Sequence, residues 1–216
     1  MNAREQYLEA LGIDVWRART SGRTAPAGAL DQPTWEALRA EVSVCTLCGL
    51  CRTRTQTVFG VGNRRADLMV IGEAPGADED RQGEPFVGRA GQLLNSMLRA
   101  MGSARESVYI ANVLKCRPPG NRDPSPAEVA CCLPYLQRQV DLIQPRLILA
   151  LGRIAAQYLL ATDAPIGRLR AQVHRFGATP LIVTYHPAYL LRSPSEKRKA
   201  WNDLKFVNSE LAKARS

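Results

Sequence analysis

The sequence is poor in histidine, with two in 216 residues, so imidazole chemistry has only His174 and His186 to draw on. It has no apolar run of membrane-spanning length, and its first residues, MNAREQYLEALG, carry charges throughout where a secretion signal would be apolar. A cytoplasmic protein with no membrane partner is therefore expected. No internal repeat is evident, which argues against a solenoid. Six cysteines in a reducing compartment point to metal binding, catalysis or packing rather than to disulfides.

What is present is basic. Lys and Arg number 29 against 20 Asp and Glu, a formal charge of +9, which favours a polyanionic partner without naming it. At 45% hydrophobic the chain can bury one core. Residues 1–40 are expected to be an N-terminal extension, with a short helix over residues 2 to 11 and a linker from Arg17 to Pro33. Residues 41–216 are expected to form the functional domain.

Four apolar runs, at 68–71, 108–113, 147–151 and 181–184, alternate with segments of helical character at 92–101, 127–143 and 153–160. A further helix is expected from Pro194 to about Ala212, and another, capped by Thr34, ahead of the first cysteines. Strands alternating with helices predict an α/β fold of three α/β/α layers around a mainly parallel, four-stranded sheet. In such a sheet the strands' carboxyl ends share one edge, so Glu73, Asn112 and His186, each at or just past a strand end, are expected to converge.

The stretch DLMVIGEAPGADEDRQGEPFVGRAG, residues 67–91, joins a buried strand to a Gly/Pro loop and then a helix. Five carboxylates fall between Glu73 and Glu84, so the loop is no simple phosphate clamp. Gly72, Ala74 and Gly76 are candidate ligand-approach positions, since small residues let backbone come close to a ligand. Cys45 and Cys48 form a CxxC; Cys116 and Cys132 are separated by 15 intervening residues. Two cysteine pairs can hold zinc or an iron–sulfur cluster, and spacing alone leaves both open beside unliganded thiols. Cys51 and Cys131 are read as packing residues.

Five pieces, in order, carry a specific resemblance: Cys45-x2-Cys48 with Thr53-Arg54-Thr55, GEAPG at 72–76, GEPFVGRAG at 83–91, NVLKCRPPGNR at 112–122 and HPA at 186–188. Together they resemble the family 4 uracil-DNA glycosylases over roughly residues 41 to 207. The resemblance implies a three-layer α/β/α fold and hydrolysis of the uracil N-glycosidic bond in DNA. It also implies a [4Fe–4S] cluster on Cys45, Cys48, Cys116 and Cys132.

That chemistry needs a flipped base held in a pocket, with an anion below the sugar and a donor beside the uracil. Phe86, between Pro85 and Gly88, is placed to stack on the base; taken alone it reads equally as a core aromatic. Asn112 offers a donor and an acceptor to match uracil O4 and N3–H. His186 is assigned the donor at O2, and Glu73 either the attacking water or the sugar cation. Glu79 is expected to exclude thymine's methyl. His174 is read as structural or surface. From Gly167 onward ten basic residues face three acidic ones, so DNA grip is assigned to Arg192 and Lys197, with Leu190 as a wedge.

The expected partner is uracil-containing DNA, met by a monomer in the cytoplasm at the nucleoid. No lysine follows a strand-end pattern and no KRRIH-like loop is present, which argues against lysine-nucleophile and self-trapping chemistry. The rival from another class is a non-catalytic iron–sulfur DNA-binding module, which binds without releasing a base.

Overall fold

In the computed structural model, residues 34–214 are described; the helix expected over 2–11 and the linker of 17–33 lie outside them. The chain order is α1 (Trp35–Ser43), β1 (Val61–Gly62), β2 (Leu68–Gly72), α2 (Ala77–Gln82), α3 (Arg89–Ala100), β3 (Tyr109–Asn112), α4 (Pro126–Ile143), β4 (Leu147–Leu151), α5 (Arg153–Leu160), α6 (Ile166–Leu169), β5 (His174–Phe176), β6 (Thr179–Thr184), α7 (Pro187–Arg192) and α8 (Lys197–Lys213). Single 3₁₀ turns stand at Gly49–Arg52, Arg105–Ser107, Pro119–Asn121 and Pro194–Glu196.

The sheet has six strands in the order β1-β3-β2-β4-β6-β5. Its four central strands, the expected ones, pair in parallel. The expected count of four is corrected by an antiparallel strand at each edge. These escaped the sequence because β1 has two residues and β5 three, too few for an apolar run to register. Gly177, at φ 58, turns the β5–β6 hairpin.

Why three layers form is legible along β2, all five of whose residues are buried. Met69 and Ile71 enter one core cluster with Leu136 and Val140 of α4, while Leu68 and Val70 enter another with Leu94 of α3 and Leu204 of α8. Side chains alternate faces along a strand, so an unbroken apolar strand requires a helical layer on each side. Each such side chain contributes about 1.5–3 kcal/mol when buried.

The remaining helices form largely as expected. Thr34 Oγ1 accepts the Ala37 N–H at 3.2 Å and caps α1, whose Leu38 and Val42 join the first core. Ser125 and Glu128 close a capping box on α4. Three short helices that the sequence does not suggest, α2, α6 and α7, stand between these. Among the described residues no helix is long and apolar enough to cross a membrane.

Candidate active site

Register places the site. Gly72 of β2 lies beside Asn112 of β3, and Leu151 of β4 beside Thr184 of β6, so Glu73, Asn112, Gly152 and Tyr185-His186 leave the sheet along one edge. A cavity of about 740 Å³ opens there. Glu73, Asn112 and His186 all line it, together with Ala74, Gly76, Glu79, Phe86 and Arg192. The three strand ends expected to converge do so.

Glu73 is half-buried at the end of β2. Burial, reinforced by the negative charge of Asp123 and opposed by Arg153, raises its carboxyl to about 7. Asp123 and Arg153 pair with each other at 3.1 Å, both well exposed, and both line the cavity. The carboxyl therefore titrates near neutral pH rather than in the ordinary carboxylate range.

Asn112 is 2% exposed, and its Oδ1 is buried without a hydrogen-bond partner in the protein. An orphaned acceptor at a cavity wall is costly unless a ligand donor meets it. Gly72 keeps the space for this arrangement: a Cβ there would stand 2.4 Å from Asn112 Oδ1 and 2.6 Å from Phe86 Cζ. Phe86 is 6% exposed and takes the left-handed conformation, φ 56, rare for an aromatic residue. Arg105 sustains it, donating to Pro85 O at 2.6 Å, Phe86 O at 3.3 Å and Asn95 Oδ1 at 3.1 Å. Phe86 is thus both packed and a cavity wall, which joins the two alternatives left open by the sequence.

His186 caps α7, its Nδ1 accepting the Ala188 N–H at 3.1 Å. With Nδ1 an acceptor, the neutral ring carries its proton on Nε2 and can donate it. Burial, helped by Arg192 and opposed by Glu79, lowers its pKa to about 4, so the ring is neutral at pH 7. Gly152, at φ 92, lets the histidine pack closely, since a Cβ there would lie 2.8 Å from His186 Cβ. The Phe86 and His186 rings stand 5.6 Å apart at 33°, framing one face of the cavity.

The model of the uracil DNA glycosylase superfamily matches residues 59–205. The chain belongs to the uracil-DNA glycosylase superfamily. It is 45% identical over 181 residues to a type-4 uracil-DNA glycosylase of Archaeoglobus fulgidus, covering 80% of this chain and 91% of that protein. Type-4 uracil-DNA glycosylases of Thermotoga maritima and Sulfurisphaera tokodaii are each 41% identical, covering 84% and 82% of this chain and 93% and 84% of their own lengths. The family read from the five motifs is the one that matches.

One residue assigned to the DNA grip of this superfamily member stands differently from the expectation. Leu190 is 1% exposed and packs in the second core cluster, so it is no free wedge. The reason is α7: its helical turn points Leu190 inward and leaves Tyr189 and Leu191, each 37% exposed, outside. Glu79 lines the cavity, but both its oxygens are engaged, Oε2 by Gly76 N–H at 3.1 Å and Oε1 by Val87 and Gly88 N–H at 3.0 and 3.2 Å. It braces the GEAPG loop against the EPFVG loop, and a Cβ at Gly76 would strike it at 2.6 Å. Arg192 and Lys197 are exposed, as a phosphate grip requires. His174 is half-buried, its Nε2 2.8 Å from Leu169 O, in keeping with a structural reading.

Several residues that shape the superfamily member's site were not singled out by its sequence. Asp203, 1% exposed, receives Arg170 through two bonds of 2.7 and 2.9 Å and the Thr184 hydroxyl at 2.7 Å. Arg170 then lies over the Tyr185 ring at 4.3 Å, bracing the residues that lead into His186. The available signal was an acid amid the basic run KRKAWNDLK. Arg105, Asp123 and Arg153 gave none, because their contacts are long-range.

A second cavity is lined by all six cysteines with Val42, Arg54, Lys115 and Tyr135. Arg54 Nη1 donates to Cys116 Sγ at 3.1 Å and the Lys115 N–H to Cys132 Sγ at 3.2 Å. Cys131 Sγ reaches Leu47 O at 3.3 Å, and Cys51 and Cys131 are partly exposed rather than core-packed. Burial pushes the thiols of Cys48 and Cys116 up, and that of Cys132 to about 11, so coordination there must displace protons. Among the described residues no three His, Cys, Asp or Glu side chains have the arrangement of a single-ion site. The thiols ring a space instead of meeting at a point, and the N–H donors aimed at two of them suit sulfurs that carry negative charge.

Proposed function

We propose that this chain is a monofunctional uracil-DNA glycosylase of base-excision repair, which hydrolyses the bond between uracil and deoxyribose and leaves an abasic site. The observation that carries the reading is the buried, unpartnered Oδ1 of Asn112 at the cavity wall. Uracil N3–H satisfies that acceptor while the amide NH₂ donates to O4. Cytosine offers no hydrogen at N3 and a donor at position 4, so both contacts fail.

An extruded uracil stacks on Phe86, a contact of about 1–3 kcal/mol that offsets part of the unstacking cost. His186 donates from Nε2 to uracil O2, where negative charge gathers as the bond breaks. A neutral donor there stabilises the leaving anion without protonating it first. Glu73, in its ionised form, draws the proton from water that attacks C1′ and faces the developing sugar cation. The bonding pair departs with uracil N1 and the hydroxyl adds to the sugar. Arg192 and Lys197 meet phosphates, and the exposed Tyr189 and Leu191 replace Leu190 as the apolar residues available to the gap left by the base.

Cys45, Cys48, Cys116 and Cys132 are the residues assigned to hold a [4Fe–4S] cluster, supported by the thiol-lined cavity and its two N–H···S bonds. When bound, the cluster supplies iron–thiolate cross-links between α4 and the segments at Cys45 and Cys116. The reading takes the protein as a monomer on DNA. Incubation with uracil-containing and matched thymine-containing oligonucleotides, followed by hot alkali, tests it: uracil-dependent scission that disappears in Glu73→Ala or His186→Ala is expected. Tight binding without base release would favour the non-catalytic module, and activity persisting in both variants would remove the assigned site.

A further inference from the structure

Lys115 is 1% exposed, yet the bonds at its ammonium go to neutral oxygens: Asn112 O at 2.9 Å and Gln139 Oε1 at 2.6 Å. Burying a cation against neutral acceptors is unfavourable, and a methionine would fill the same length of space without that penalty. What the ammonium adds is direction. Gln139, itself 0% exposed, is fixed in turn by donating to Phe59 O at 2.9 Å and Tyr109 Oη at 3.3 Å. Tyr109 opens the strand that Asn112 closes, so Asn112, Lys115, Gln139 and Tyr109 form a closed ring of chain and hydrogen bonds. At its other end Lys115 borders the cysteine cavity, its N–H on Cys132 Sγ and Cys116 next in sequence.

We propose that Lys115 is a positioning residue that ties the cysteine-lined cavity to Asn112, so that uracil selection depends on a buried link between the two sites. The inference rests on the assignment of Asn112 as the uracil reader. Asn112 has no side-chain partner for Oδ1, so its backbone is where the protein holds it. The Lys115 ammonium and the parallel pairing with Gly72 fix that backbone from two directions. Movement of the segment Leu114 to Cys116 is carried directly to the base-reading amide.

The test uses the cluster-loaded protein and reads visible absorption, KM and kcat on a uracil oligonucleotide, and inhibition by free uracil. Lys115→Met is expected to keep the absorption while KM and the uracil inhibition constant rise about tenfold, the scale of one charge-assisted hydrogen bond. The change in kcat is expected to be smaller, and the acid limb set by Glu73 to stay in place. Gln139→Leu, which frees the lysine without touching a cysteine, is expected to raise the same two constants with full absorption. Should Lys115→Met lose its colour, Gln139→Leu decides. A coloured variant whose uracil inhibition matches wild type overturns the link, as does loss of colour in Gln139→Leu. If wild type neither releases uracil nor is inhibited by it, the assignment of Asn112 has failed instead.

Discussion

Glu73 and His186 end neighbouring regions of one sheet and line one cavity, yet burial carries them in opposite directions. The carboxyl rises to about 7 and the imidazole falls to about 4. Desolvation disfavours whichever form is charged, so the same surroundings keep an acid protonated longer and a base neutral sooner. Nearby charges act second: Asp123 reinforces the rise at Glu73, and Arg192 the fall at His186. Between pH 4 and 7 both groups are chiefly neutral; above pH 7 a carboxylate faces a neutral donor. That combination is what hydrolysis with an anionic leaving group needs.

The largest effects come from removing either partner. Glu73→Gln keeps the shape but not the charge, and single-turnover excision is expected to fall by about 10²–10⁴-fold. His186→Ala, which removes the donor at the developing anion, is expected to lose about 10²–10³-fold. Next is the contrast between adjacent leucines of α7. Leu190→Ala opens a core cavity and is expected to cost about 2–5 kcal/mol in denaturant melts. Leu191→Ala, on the exposed side, is expected to leave stability within about 0.5 kcal/mol while weakening DNA binding in a gel-shift titration.

Asn112→Ala removes base reading without touching either titrating group. A loss of about 1–3 kcal/mol in kcat/KM on uracil is expected, with the pH profile unchanged. The smallest effects concern the ion pair at the rim. Arg153→Ala removes a charge that lowers the Glu73 pKa, so the rise of rate with pH is expected to move to higher pH; Asp123→Asn is expected to move it lower. Because the pair is exposed, each changes the rate at neutral pH by less than about fivefold.

The four parallel strands and their common edge were legible because β2, β3 and β4 are short apolar runs and β6 ends in one, the pattern of strands covered on both faces. Glu73, Asn112 and His186 were legible as strand-end residues for the same reason. The edge strands were not, being too short to show periodicity. Leu190 was misplaced because the composition of Ala188 to Pro194 suggests an exposed loop, whereas Pro187 at the first helical position starts a turn of helix with an inner side. The bonds from Arg105 to the Pro85 and Phe86 carbonyls, those of Asp203 and the Asp123–Arg153 pair span 19 to 33 residues of sequence, distances at which one-dimensional spacing carries no signal. Glu79 is legible as a loop acid, whereas the engagement of its oxygens by three backbone N–H groups arises only when the GEAPG and EPFVG loops meet.

The division of labour between an ionised carboxylate and a neutral imidazole is tested most directly by the pH dependence of single-turnover uracil release in wild type beside Glu73→Gln. Wild-type rate is expected to rise with unit slope and level off above about pH 7, with no loss on that side from imidazole deprotonation, and the limb is expected to vanish in Glu73→Gln. A rate that instead falls as pH rises through 6 to 7 would require a protonated His186 and contradict the assignment.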